Sequence, residues 1–159
     1  MPKSWTADST LVDSVARNLC EAVVLLPKQL LHVDELTHQF GMPFSHIQIL
    51  VMLSSGDITI GDISSTLGIA KPNITPLLDA LSERGLVERV RGTGDKRIVN
   101  VHLTDEGHRM LDQIHQAIAE QVAGWENSCN RSEIKQLNHA LAFMVQIADR
   151  RNGKNPSHS

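Results

Sequence analysis

The chain has 159 residues, a net charge of −3, 41% hydrophobic and 3% aromatic residues, and no tyrosine. That length suits one domain with appended elements and can bury roughly two-thirds of the surface its unfolded chain would expose. Two cysteines, Cys20 and Cys129, supply neither a disulfide scaffold nor zinc-ligand spacing. The first ten residues lack the apolar centre of a signal peptide, and apolar runs such as 22–26 are far short of a membrane span. A cytoplasmic protein without a membrane partner is therefore expected.

Leu11, Val15, Leu19, Val23, Leu26 and Leu30 recur at spacings of three and four and predict a helix over 8–31. Pro27 is expected to kink or break it. Residues 33–42 are polar and end in Gly41, which reads as a short helical turn or a loop. Phe44, Ile47, Leu50, Val51 and Leu53 predict a helix over 43–53, ended by Ser54-Ser55-Gly56-Asp57. Thr59, with Asp62 three residues on, is a capping-box-like start for a helix reaching Leu67, where Gly68 offers a left-handed stop. Another helix, over about 71–84 and closed by Gly85, follows after the short join of a helix-turn-helix.

Segments 86–91 and 97–103 are Val-rich and alternate as two strands around the turn Gly92-Thr93-Gly94. Thr104 caps the next helix, with Asp105 and Glu106 in its first turn and a stripe of Leu111, Ile114, Ile118, Val122 and Trp125. Ser132 is expected to cap the last helix, whose stripe is Ile134, Leu137, Leu141, Met144 and Ala148. Residues 150–159 form a polar tail expected to be disordered.

These elements predict a mainly α fold with a small β-hairpin wing. A winged helix-turn-helix spans 43–103. An N-terminal dimerisation helix and connector occupy 1–42, C-terminal dimerisation helices 104–150, and the tail 151–159. The central module can close its own core, so the end helices need another partner for their apolar faces. Antiparallel packing on each other and on a second copy is the expected solution. A symmetric dimer is also how a helix-turn-helix reads two half-sites one turn apart.

Charge locates the working face. From Arg84 to Arg97 stand five basic residues (Arg84, Arg89, Arg91, Lys96, Arg97) and two acidic ones (Glu88, Asp95), a local +3 in an acidic chain. The N-terminal end of the second helix of a helix-turn-helix enters the major groove, which selects Lys71, Asn73 and Thr75. Asn can bond adenine, Lys guanine or phosphate, and Thr can touch a thymine methyl. The competing role for Asn73 and Thr75 is helix capping. In the wing, Arg91, Thr93, Lys96 and Arg97 are placed to grip phosphate or enter a minor groove, against the alternative of a solvated hairpin. No nucleophile–base pair, phosphate loop or metal motif is recognisable, so neither an enzyme nor a cofactor is expected. His108, Asp112 and His115 fall on one side of a helix but lack tight ligand spacing. A winged-helix protein-interaction module without DNA binding is the reading from a different class.

The stretches LGIAKPNITPLLDALSERGLVERV and DKRIVNVHLTDEGHRML carry a resemblance to the multiple-antibiotic-resistance regulator (MarR) family of bacterial winged-helix repressors. Asp95-Lys96-Arg97 is similar to the family's Asp-x-Arg wing motif, and Leu103-Thr104-Asp105-Glu106-Gly107 to its LT-x-x-G helix start. The likeness is strongest over 43–125. It implies a homodimeric repressor on a pseudo-palindromic double-stranded DNA operator, released by a small molecule or by thiol oxidation. It implies that Asp95 holds an arginine and fixes the wing, with Arg97 either that arginine or a DNA contact. It implies an effector pocket over Leu19, Val23, Leu26, Phe44, Ile47 and Leu111, whose apolar character suits an aromatic or lipophilic molecule. Cys20 is placed like the reactive thiol of organic-hydroperoxide sensors in the family, and Cys129 like a second thiol. The tyrosines that orient such a thiol are absent, and a small buried residue is the alternative for Cys20. Pro76 stands where many relatives carry a polar or basic residue. Either its helix starts near Asn73, leaving Pro76 in the first turn, or it begins irregularly at Lys71.

Overall fold

A computed structural model describes residues 9–92 and 98–151. Helix α1 (Ser9–Leu25) passes into one π-helical turn, Leu26–Leu30. Pro27 has no N–H to give the α ladder. The chain instead closes a wider turn, with the Leu31 N–H on the Leu26 carbonyl at 2.9 Å. His32 then takes φ 42°, a left-handed conformation, and leads into α2 (Val33–Phe40). The segment read as a turn or loop is thus a helix of eight residues. Its apolar signal is only Leu36 and Phe40, four apart, and both are buried. Gly41, at φ 58°, ends it, and the Met42 N–H returns to the Thr37 carbonyl at 3.2 Å.

Helix α3 (Phe44–Met52) runs into a 3-10 turn, Leu53–Ser55. A two-residue strand, β1 (Ile58–Thr59), follows and was not expected from the sequence, being too short to alternate. Next come α4 (Ile60–Leu67), α5 (Lys71–Glu83), β2 (Val87–Arg91) and β3 (Val99–Leu103). The antiparallel sheet has the order β1-β3-β2, with Val101 opposite both Ile58 and Arg89. Helix α6 (Asp105–Ala123), a 3-10 turn (Gly124–Asn127) and α7 (Arg131–Arg151) complete the described chain.

Two compact units divide it, Met1–Ile118 and Ala119–Ser159. The core of the first unit joins Leu36 of α2, Ile47 and Leu50 of α3, Ile63 of α4, Ile74, Leu78 and Leu81 of α5, Val101 of β3, and Leu111 and Ile114 of α6. Helix α1 contributes no buried residue to it. Its Leu11, Val15, Leu19 and Val23, spaced by four, are 57, 49, 47 and 74% exposed.

In the second unit α7 has no buried residue, and Leu141, Phe143, Met144, Val145 and Ile147 are exposed. Its cap is Asn130 rather than Ser132. The Asn130 side-chain oxygen accepts from the Ser132 and Glu133 N–H groups at 2.9 and 3.1 Å, and Glu133 returns to the Asn130 N–H at 2.8 Å. Asn at the cap with Glu three residues on closes both ends of a capping box, which Ser132 with Lys135 could not do. Among the described residues no helix is long and apolar enough to cross a membrane.

Candidate nucleic-acid interface

The helix-turn-helix begins at Thr59. Its hydroxyl accepts the Asp62 N–H at 3.0 Å, and the Asp62 carboxylate reaches back to the Thr59 N–H at 3.3 Å, the expected capping box. Gly68 stops α4 at φ 66°. The turn is tied by the Ile69 N–H on the Ser64 carbonyl at 3.2 Å and by the Ser64 hydroxyl on the Ile69 carbonyl at 2.7 Å. A two-point tie of this kind fixes the angle at which α5 leaves α4.

Helix α5 starts at Lys71, with Ala70 as its cap and no side-chain capping bond. Asn73 and Thr75 therefore do not cap it, and both are exposed. Ile74, Leu78 and Leu81, spaced by four and three, bury against the core. That single stripe fixes what faces out. Lys71, Pro72, Asn73, Thr75 and Pro76 are all exposed, so the N-terminal half of α5 is bare apart from Ile74. The Lys71 ammonium lies back over the first turn of α4, 3.7 Å from where a Cβ on Gly61 would stand. Of the two arrangements open for Pro76, the structure takes the start at Lys71. Pro76 lies inside the helix and Pro72 in its first turn. Pro76 offers no N–H to the Pro72 carbonyl four residues earlier.

The hairpin carries the second set of candidates. Arg91 ends β2 exposed, and the Gly92 N–H bonds the Ile98 carbonyl at 2.9 Å where the wing leaves the sheet. Thr93, Asp95, Lys96 and Arg97 lie outside the described residues. Two of the five basic residues that marked this region have structural partners. Arg89 pairs with Asp79, clamping β2 to α5. The Arg84 guanidinium donates to the Phe40 and Gly41 carbonyls at 3.1 and 3.2 Å, holding the end of α2. Neither role carries a sequence signal, since the partners stand ten and more than forty positions away.

The LT-x-x-G segment proves to be the joint between wing and α6. Leu103 is buried. The Thr104 hydroxyl accepts the Gly107 N–H at 3.0 Å and donates to the Gly85 carbonyl at 2.5 Å. The Thr104 N–H bonds the Leu86 carbonyl at 3.1 Å. A Cβ on Gly107 would stand 2.0 Å from that same carbonyl oxygen, so only glycine fits.

The remaining candidates are distributed differently. Leu19, Val23 and Leu26 are exposed on α1 and its π turn, and Phe44 packs half-buried against the core. Ile47 and Leu111 are core residues, 2 and 5% exposed. Cys20 is exposed, which corrects the reading of a small buried residue: its place on α1 faces outward with the rest of that helix. Cys129 is half-buried. His108, Asp112 and His115 are exposed, and among the described residues no group of three or more His, Cys, Asp or Glu side chains could hold a metal ion.

A family model described as MarR family matches residues 40–98. The chain is 30% identical over 103 residues to the uncharacterized HTH-type transcriptional regulator YsmB of Bacillus subtilis, covering 59% of this chain and 70% of that one. It is 23% identical over 110 residues to the HTH-type transcriptional repressor MdtR of the same organism, covering 69 and 71%. A crystal structure of NadR in complex with 4-hydroxyphenylacetate superposes with a TM-score of 0.65 at 24% identity, covering 92% of this chain and 99% of the other.

Proposed function

The chain belongs to the MarR family of winged-helix DNA-binding transcriptional regulators, and from that premise we propose that it is a homodimeric repressor of a pseudo-palindromic operator, released by a small-molecule effector. The observation that carries the reading is the bare N-terminal half of α5, where Lys71, Asn73 and Thr75 stand exposed over a buried Ile74-Leu78-Leu81 stripe. Asn73 and Thr75 read base edges in the major groove, Lys71 binds guanine or phosphate, and Arg91 with Thr93, Lys96 and Arg97 of the wing holds the flanking backbone. Asp95 fixes the wing by pairing with an arginine.

The apolar stripe of α1 and the exposed apolar residues of α7 support a dimer, because a free monomer would leave them in water. The name of MdtR supports repression. The NadR complex supports a small effector, whose pocket here forms over Leu19, Val23, Leu26 and Phe44 with Ile47 and Leu111 beneath. Effector binding favours a dimer whose two α5 helices are wrongly spaced for one operator.

Fluorescence anisotropy on the DNA upstream of the chain's own gene, beside a scrambled duplex and at two salt concentrations, tests the reading. Preference for the upstream duplex with steep weakening in salt is expected. Absence of binding to either duplex by a folded protein would replace it with a protein-interaction module. An effector that binds without changing operator affinity would remove the release step alone.

A further inference from the structure

Helix α5 buries Ile74, Leu78 and Leu81 along one side. At about 3.6 residues per turn, the side directly opposite carries Pro72, Pro76 and Asp79. Asn73 and Thr75 fall on its two flanks, so the outermost line of the N-terminal half is made by two prolines rather than by the polar residues beside them. Both prolines are exposed. Asp79, the next residue on the line, is held by Arg89. Lys71 stands off the line, its ammonium drawn back over the first turn of α4. The leading part of this outer line therefore presents hydrocarbon and no charge.

Pro76 costs the helix a ladder bond, and its exposed ring recovers nothing by packing within the chain. Natural chains break a local rule of this kind mainly at functional sites. Pro72 costs nothing comparable, because a first-turn N–H has no partner within the helix. The two rings stand roughly 6 Å apart along the axis and form one apolar ridge.

The inference rests on the reading of α5 as the helix that enters the major groove. The base edges there are lined with hydrogen-bonding atoms, and the 5-methyl of thymine is the hydrocarbon group they present. A proline ring set over a purine edge strips water from its acceptors and returns no donor. Set over a thymine methyl, the same ring removes apolar surface from water on both partners. We propose that Pro72 and Pro76 read thymine methyl groups at the centre of each half-site, while Asn73 and Thr75 read the base pairs to either side.

The test selects duplexes from a random-sequence pool with the unaltered full chain, then replaces each thymine of the selected half-site by deoxyuridine. That replacement removes the 5-methyl and leaves every hydrogen-bonding atom in place. The selected half-sites are expected to share thymine. At least one replacement is expected to weaken binding by about three- to fivefold, the effect of burying roughly one methyl group. Pro72→Ala combined with Pro76→Ala keeps the helix and removes most of both rings, and in that chain the same replacement is expected to have almost no effect. Selected half-sites without thymine, or replacements that all leave affinity unchanged, would overturn the proposal and leave DNA reading intact. An undiminished penalty in the folded double variant would also overturn it, because the methyl would then act through duplex shape. A pool from which nothing is enriched would overturn the operator reading and this proposal with it. The deoxyuridine comparison uses the unaltered protein and stands whatever the variant does.

Discussion

Single residues decide whether the parts of this chain meet at the right angles. Gly107 is the sharpest case, because its missing Cβ is replaced by the Leu86 carbonyl, which is itself bonded to Thr104. Neither backbone can yield without opening the joint between wing and α6. Gly107→Ala is expected to lower the unfolding free energy by about 3 kcal/mol, read from urea denaturation, as overpacking against backbone does. The two arginines of β2 divide their work. Arg91 is exposed while Arg89 is held by Asp79. Arg91→Gln is expected to reduce the slope of log affinity against log salt by roughly one. Arg89→Gln should leave that slope nearly unchanged. Equal slopes for Arg91→Gln and the parent protein would take Arg91 off the phosphates.

His46 gives the fold a pH dependence with a definite sign. Its pKa is depressed in the folded state, by burial and then by Arg84. Above about 6.5, the value of a free imidazole, both states leave it neutral and its contribution to stability is intact. Below that pH the unfolded chain takes up a proton that the folded chain resists, so stability falls, and the loss is complete once pH has passed the depressed folded value. Urea midpoints measured from pH 7.5 downward are expected to decline, and His46→Asn is expected to flatten that decline. An unchanged pH profile in the variant would assign the effect elsewhere.

At the scale of elements, Pro76 in α5 is the local conflict. An interior proline removes one ladder bond and strains the preceding turn, costing up to about 3 kcal/mol. The helix tolerates it because Ile74, Leu78 and Leu81 anchor the opposite face. Pro76→Ala returns an N–H to the Pro72 carbonyl and is expected to raise stability by about 1–3 kcal/mol while altering base preference. A loss of stability would mean that the ring packs where it is taken to be bare. The elements legible in the sequence were those with their own chemistry at both ends, such as the Thr59–Asp62 box and Gly68 around α4. Helix α2 was half legible, since its two buried residues sit among polar ones. Strand β1 exists only through its pairing with β3, a tertiary fact no two-residue window contains. The exposed residues of α5 proposed to face DNA, Lys71, Asn73 and Thr75, were selected by position within the motif. The Arg84 and Arg89 partners and the burial of His46 could not be, because each depends on contacts between distant segments.

At the scale of the molecule, the question is what covers the apolar residues left in water. Leu11, Val15, Leu19 and Val23 form one continuous stripe along α1, each about half exposed or more. Such a stripe gives a helix a stable face only against another apolar surface. In the proposed dimer that surface belongs to a second copy, and the join places two α5 helices on successive turns of one duplex. Linking two readers makes the second contact intramolecular, which multiplies affinity by roughly 10²–10⁴ without new contacts to DNA. Val15→Glu with Leu19→Glu puts two charges into the stripe and touches no residue of the core. Sedimentation equilibrium is expected to find the parent chain as a dimer and the double variant as a monomer with unchanged helix content. Operator affinity should fall at least a hundredfold while weak, salt-sensitive binding to any duplex persists. A double variant that remains a dimer would move the interface off α1. A monomer that keeps full operator affinity would leave the dimer standing but detach it from DNA reading.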